Sequence, residues 1–69
     1  MTPREIRNLA NRAIYMVDRG TMCQRDDFED EHGCALSTIL DELWAEADDA
    51  GMTSLVRKIE RAYNKLVNG

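Results

Sequence analysis

Residues 36–47, with the sequence LSTILDELWAEA, decide the fold. The apolar side chains of this stretch recur at intervals of three and four residues, at Leu36, Ile39, Leu40, Leu43, Trp44 and Ala47. Such spacing places them on one face of an α-helix and does not fit the strict alternation of a half-buried strand. The stretch therefore predicts an amphipathic helix, and both flanking regions of the chain repeat its period.

The N-terminal region predicts a second helix. Thr2 is a typical N-cap, Pro3 suits the first helical turn, and Glu5 completes a capping box with Thr2. The apolar residues that follow keep helical spacing, at Ile6, Leu9, Ala10, Ala13, Ile14, Met16 and Val17. Because Gly20 is a typical C-terminal stop, we expect this helix over residues 3–19.

The segment between these two helices allows two interpretations. Residues 20–25 predict a connection, and Asp26 offers an N-cap with Glu29 as its capping-box partner. Either a short helix then ends at Gly33 and a new helix follows, or one helix continues over residues 27–50. The second alternative stays open because a glycine inside a helix costs only about 1 kcal/mol relative to alanine.

The C-terminal region predicts the last helix, over residues 54–67, which starts at Thr53 or Ser54. Its apolar positions are Leu55, Val56, Ile59, Ala62, Tyr63, Leu66 and Val67. The glycine–methionine link before it is short, which favours an antiparallel hairpin with the preceding helix. The sequence thus predicts an all-α fold in a single domain over residues 1–69: a small antiparallel bundle of three long helices, or of four with one short.

Length and composition bound the function. A chain of 69 residues buries only about 60% of the surface that its unfolded form exposes, so a lone monomer is marginal and we expect a homodimer. No apolar stretch is long enough to span a membrane, and the N-terminus lacks the apolar segment of a signal peptide, which predicts a cytoplasmic protein. One histidine and no glycine-rich phosphate loop give no basis for catalysis, so we expect neither an enzyme nor a cofactor.

Charge is sorted along the chain, although its formal total is only −4. Residues 1–25 carry five arginines and two carboxylates, a net +3, whereas residues 26–50 carry ten carboxylates and no lysine or arginine. Residues 51–69 return to a net +3. Either these charged side chains lie on solvated outer faces and helices of opposite net charge pack side by side, or the acidic segment forms a docking face for a basic partner. Asp48, at a helix C-terminus where the macrodipole disfavours anions, supports the second interpretation.

Tyr15 is the first of two aromatic candidates for partner binding. A helical projection places it almost opposite the apolar stripe of the first helix, between Arg12 and Arg19. An outward tyrosine framed by arginines has the composition of a binding hot spot. The alternative is a surface tyrosine, or one covered by the rest of the fold.

Trp44 is the second candidate and lies at the edge of its helix's apolar stripe, beside Asp41 and Asp48. A lone tryptophan in a small bundle is usually at the centre of the core; otherwise it anchors a partner contact. Tyr63 falls within the apolar arc of the last helix, which favours a core position with the hydroxyl at the rim. The predicted partner-binding residues are Tyr15, Arg12, Arg19, Asp41, Trp44 and Asp48.

The candidate ligands of a metal site are Cys23, His32 and Cys34. Structural zinc takes four ligands, so a carboxylate such as Asp30 would have to be the fourth, and the spacing fits no strong pattern. A disulfide between the two cysteines is geometrically possible, but a reducing compartment argues against it. We therefore expect free thiols and no metal.

These observations favour a small non-catalytic protein–protein interaction module. It would be an adaptor or inhibitor that binds another protein, one with a basic or nucleic-acid-binding surface, and modulates its activity. Compact acidic proteins of this kind occur among phage and mobile-element accessory proteins. The alternative is a nucleic-acid-binding regulator that uses the basic faces of the first and last helices, where Arg57, Arg61 and Lys65 form a stripe. Against it, the only plausible tight turn, at residues 50–52, joins an acidic helix to a basic one, unlike a helix-turn-helix.

Overall fold

The computed structural model describes residues 1–69 and contains four helices and no strand. Helix α1 spans Pro3–Asp18, α2 spans Met22–His32, α3 spans Leu36–Asp49 and α4 spans Thr53–Asn68. The all-α prediction is confirmed, in its form with four helices of which one is short. No helix combines the length and the apolar character needed to cross a membrane.

Helix α1 begins as predicted. The Thr2 hydroxyl accepts from the Glu5 backbone N–H at 3.2 Å, and the Thr2 N–H donates to Glu5 Oε1 at 3.0 Å. The pKa of the Glu5 carboxyl lies below its ordinary value, chiefly because that Thr2 backbone N–H donates to it. The helix ends at Asp18, one residue before the predicted end.

Helix α2 begins earlier than predicted. A second capping box starts it, because the Thr21 hydroxyl accepts from the Gln24 N–H at 3.1 Å and the Thr21 N–H donates to Gln24 Oε1 at 2.9 Å. The predicted connection over residues 20–25 and the predicted N-cap at Asp26 are therefore wrong. Glu29 does not complete a capping box; its carboxylate accepts from the Leu36 N–H at the start of α3.

The chain breaks at Gly33, so the alternative of one continuous helix over residues 27–50 is wrong. Gly33 adopts φ +73°, a left-handed conformation that glycine reaches without the Cβ clash of other residues, and its N–H donates to the Glu29 carbonyl at 2.7 Å. Helix α3 then begins at Leu36.

Helix α4 begins at Thr53 after the turn at Gly51, which has φ +72°. The predicted start at Thr53 or Ser54 is confirmed. Met52 occupies the N-cap position and no side chain caps the helix. The helix extends one residue beyond the predicted 54–67 at each end.

The core lies where α1, α3 and α4 pack against one another, and α2 lies across α1 and α3. It consists entirely of apolar side chains: Ile6, Ala10, Ala13, Val17, Phe28, Leu36, Ile39, Leu40, Leu43, Ala47, Leu55, Ile59 and Ala62. Only Phe28 comes from α2. The radius of gyration of 11.1 Å equals the value of about 11 Å expected for a globular chain of this length.

Two aromatic side chains expected in the core lie outside it. Trp44 is 36% exposed and Tyr63 is 38% exposed. The core interpretation of Trp44 is wrong because Leu43 and Leu40 occupy the centre of the α3 stripe and leave the indole at its margin. Tyr63 likewise lies at the rim of the core rather than within it.

Candidate interaction surface

An open groove of about 350 Å³ runs between α3 and α4. Two buried side chains, Leu40 and Ile59, form its floor, and the two half-exposed aromatic rings of Trp44 and Tyr63 flank it. The polar side chains at its margin are Asp41, Glu60 and Asn64. The groove therefore combines an apolar floor, two aromatic side chains and a rim that carries two carboxylates.

Trp44 is held at the groove by a contact between the two helices. Its indole Nε1–H donates to Glu60 Oε1 on α4 at 3.0 Å. A tryptophan ring has a large apolar surface but also an N–H that needs a partner, so it is suited to a boundary between core and solvent. Glu60 supplies that partner at the rim, which holds the partly exposed ring beside the groove.

Helix α3, which contributes Asp41 to the groove, carries five carboxylates in all and no lysine or arginine. They are Asp41, Glu42, Glu46, Asp48 and Asp49. None of them makes an ion pair, because the two ion pairs of the structure join Arg12 to Glu31 and Lys65 to Asp18. The negative charge of α3 is therefore not compensated by any cation in contact with it.

The six predicted binding residues fall into two groups. Asp41 and Trp44 line the groove, and Asp48 lies one turn beyond Trp44 on the same exposed side of α3. Tyr15 is 50% exposed on α1 and does not line the groove. The structure thus brings the α3 residues together and separates them from those of α1.

The two arginines beside Tyr15 have different environments. Arg12 pairs with Glu31 of α2 at 3.5 Å, and its guanidinium carbon lies 5.5 Å from the centre of the Phe28 ring. Arg12 therefore joins α1 to α2. Arg19 lies in the link after α1, where its backbone N–H donates to the Tyr15 carbonyl at 2.7 Å.

The groove residues that sequence reasoning missed all belong to α4: Glu60, Tyr63 and Asn64. A projection of one helix at a time does not reveal them, because they reach the site only through the packing of α3 on α4. One signal was present in the sequence, because residues equally far from the link of a helical hairpin lie opposite each other. Residues 44 and 60 are equally far from residue 52 in the link, and so are residues 41 and 63.

The cysteines and the histidine form no metal site. Cys23 is exposed on α2 and Cys34 is half-buried after it, both as free thiols. No group of three histidine, cysteine, aspartate or glutamate side chains is arranged to hold a metal ion. The His32 ring instead packs on Phe28, with 4.5 Å between ring centres.

No protein-family model, curated protein or solved structure matches this chain, so its function has to be inferred from its own residues.

Proposed function

We propose that this protein is a small non-catalytic interaction module, an adaptor or inhibitor that binds another protein through the α3–α4 groove. The position of Trp44 supports this most directly, since its indole lies partly exposed over a buried apolar floor. Tryptophan and tyrosine are enriched among the residues that dominate binding energy, and the groove presents one of each. The proposal takes α3 and α4 as an antiparallel pair, which their three-residue link favours.

The partner that fits this groove is a basic amphipathic segment of another protein. An apolar side chain of the partner would reach the floor at Leu40 and Ile59. Lysine or arginine side chains on either side would meet Asp41 and Asp48 of α3 and Glu60 of α4. Complementary charge raises the association rate and selects among partners. If the basic surface of the partner normally binds nucleic acid, the groove would compete with the nucleic acid for that surface. Binding would modulate the activity of the partner in this way.

Trp44 is the only tryptophan of the chain, so its fluorescence reports on the groove directly. The test is a titration with a helical peptide of leucine and lysine, compared with a peptide in which glutamate replaces every lysine. We expect the basic peptide alone to change the emission of Trp44. Asp41→Lys should abolish this response, whereas Glu42→Lys, which makes the same charge change on α3 outside the groove, should retain it.

Two results would contradict the proposal. One is no response of wild-type protein to the basic peptide at low salt. The other is an equal loss of binding in Asp41→Lys and Glu42→Lys, which would show a general effect of net charge without a defined groove. Far-ultraviolet circular dichroism of both variants checks that each remains folded.

A second copy of this chain is the competing occupant of the groove. Groove-to-groove contact would bring Asp41 and Glu60 of each copy close to the carboxylates of the other, which costs electrostatic free energy. The homodimer remains a prediction from chain length. A sedimentation mass near 7.9 kDa at micromolar concentration would contradict it, and a doubled mass that falls to 7.9 kDa in Trp44→Ala would show that the groove is the dimer interface.

The cellular setting also stays a proposal. The two free thiols are in line with a reducing, cytoplasmic location for this binding event. An origin as a phage or mobile-element accessory protein is a prediction from size and charge.

A further inference from the structure

A second charged surface lies where α1 packs against α4, and it shares no residue with the α3–α4 groove. Arg7 and Asn11 of α1 line a cavity together with Lys58 of α4. Further along the same pair of helices, Lys65 Nζ donates to Asp18 Oδ1 at 2.9 Å. These two contacts define which sides of α1 and α4 share one surface.

This surface is basic. Arg4 lies one helical turn before Arg7, and Arg61 lies between Lys58 and Lys65, one turn from each. We term the five exposed cations the basic face: Arg4, Arg7, Lys58, Arg61 and Lys65. Only Lys65 has a carboxylate partner within ion-pairing distance, which leaves four cations uncompensated.

The separation of charge is informative because the chain has an excess of carboxylates. Thirteen acidic side chains are available, yet α3 and the basic face both remain almost free of ion pairs. Four neighbouring cations without counter-charges repel one another, and this repulsion is relieved when a polyanion binds. Charge complementarity therefore favours a polyanion, such as a polymer of phosphates, as the ligand of this face.

Tyr15 specifies the kind of polymer. It lies one turn after Asn11 and one turn before Asp18, so it belongs to the same side of α1, and it is half-exposed. We propose that the basic face binds a single-stranded nucleic acid, with the cations at successive phosphates and Tyr15 stacked on a base. Aromatic side chains within a positively charged surface bind single strands in this way with little regard to sequence.

Two other polyanions fit this face less well. The major groove of duplex DNA admits one helix, whereas α1 and α4 lie side by side and present a broad surface. A membrane surface would require apolar side chains that insert, but the exposed apolar side chains of α4, Tyr63 and Val67, line other cavities. The inference goes beyond the proposed function, since a chain that binds both ligands would bring a protein to a nucleic acid.

The first test is fluorescence anisotropy of a labelled oligodeoxythymidine over a salt series. One phosphate contact for each of the four unpaired cations predicts a slope of log K against log salt of about −2.8, which is roughly a 50-fold loss of affinity for a fourfold rise in salt. Arg7→Gln and Lys58→Gln should each make the slope shallower by about 0.7. Arg12→Gln is the matched control, since it removes a positive charge that pairs with Glu31 outside the face, and it should leave the slope unchanged.

The second test addresses the stacking role of Tyr15. Tyr15→Ala should weaken binding by about 5- to 150-fold, and Tyr15→Phe, which keeps the ring, should bind like wild type. Absence of binding to the single strand at low salt overturns the inference. Equal or tighter binding to a duplex of the same length, or binding to phosphatidylserine vesicles without binding to the oligonucleotide, overturns the assignment to single strands.

Discussion

Helices α2 and α3 are both acidic and adjacent in the chain, but they are held in opposite ways. Helix α3 buries five side chains in the core, whereas α2 buries only Phe28. Polar contacts hold α2 to the ends of its neighbours. Arg25 donates to the Met16 and Val17 carbonyls at 2.8 and 2.7 Å, and Glu29 accepts from the Leu36 N–H.

The same comparison separates two uses of negative charge. In α2, Glu29 caps a helix and Glu31 pairs with Arg12, so these carboxylates serve the fold. The five carboxylates of α3 make no ion pair and lie on the exposed side of their helix. Charge composition alone assigns both helices to one acidic segment, whereas the contacts show that two of the five carboxylates of α2, and none of those of α3, bind to another helix.

The largest effect is expected in the core of α3. Leu43→Ala removes a fully buried side chain and should lower the free energy of unfolding by about 2–5 kcal/mol, because it loses apolar burial and leaves a cavity. Met22→Ala, at an exposed position of α2, should change it by less than about 0.5 kcal/mol. Chemical denaturation of both variants measures the difference, and similar losses would show that α2 is held by apolar burial as α3 is.

The next effect tests the polar attachment of α2. Arg25→Met keeps most of the apolar stem but removes two hydrogen bonds from a charged donor to the end of α1, so we expect a loss of about 1.5–3 kcal/mol. Arg19→Met is the control, because the Arg19 side chain makes no such bond. Hydrogen exchange should speed up in α2 before it does in α3; uniform acceleration in both helices would refute a separate attachment.

A third effect concerns the break between the two helices. Gly33→Ala should destabilise the protein by about 1–2 kcal/mol, because alanine is strained at φ +73° although no atom lies near its new Cβ. Gly51→Ala, at the same backbone conformation after α3, should cost a similar amount. The sign of the Gly33 effect is decisive, since a continuous helix would gain about 1 kcal/mol from the same substitution.

The smallest effect separates the capping boxes of α1 and α2. Glu5 has a lowered pKa, so the stability from its capping contact is present at neutral pH and is lost as the pH falls through that pKa. The box of α2 uses the amide of Gln24 and does not titrate. The protection of the first-turn amides of α1 from hydrogen exchange, taken relative to the intrinsic exchange rate at each pH, should therefore fall in acid more than that of α2, and Glu5→Gln should remove the difference. An equal fall in protection at both helix starts would contradict this.

Sequence reasoning predicts α1 and α4 well because their apolar residues repeat at the helical period, and it predicts the apolar face of α3 but not the residue at which α3 begins. It misses the start of α2, although Thr21 and Gln24 have the same spacing as Thr2 and Glu5. Helix α2 buries a single side chain, so its sequence has no periodic apolar pattern that would indicate a helix beginning at Thr21. Periodicity also could not settle the break at Gly33, since Phe28 stays roughly in phase with α3 across it.

The candidate site shows a similar division. Asp41 and Trp44 are recognisable because they are neighbours on one helix, and a single projection places them together. Glu60 and Tyr63 depend on how α3 packs against α4, which is a tertiary fact. The hydrogen bond of Trp44 depends on that packing too, because its acceptor is on α4.

Arg25 and Glu29 are separated by one turn of α2, and that turn bridges the end of α1 and the start of α3. A minimal version of this protein, with α2 replaced by a short flexible loop, would lose only one core side chain. It would nevertheless leave the Val17 carbonyl at one helix end and the Leu36 N–H at the next without their side-chain partners. Any attempt to shorten the chain must therefore retain this turn or supply new caps to both helices, so the segment that adds least to the core is also one that cannot simply be removed.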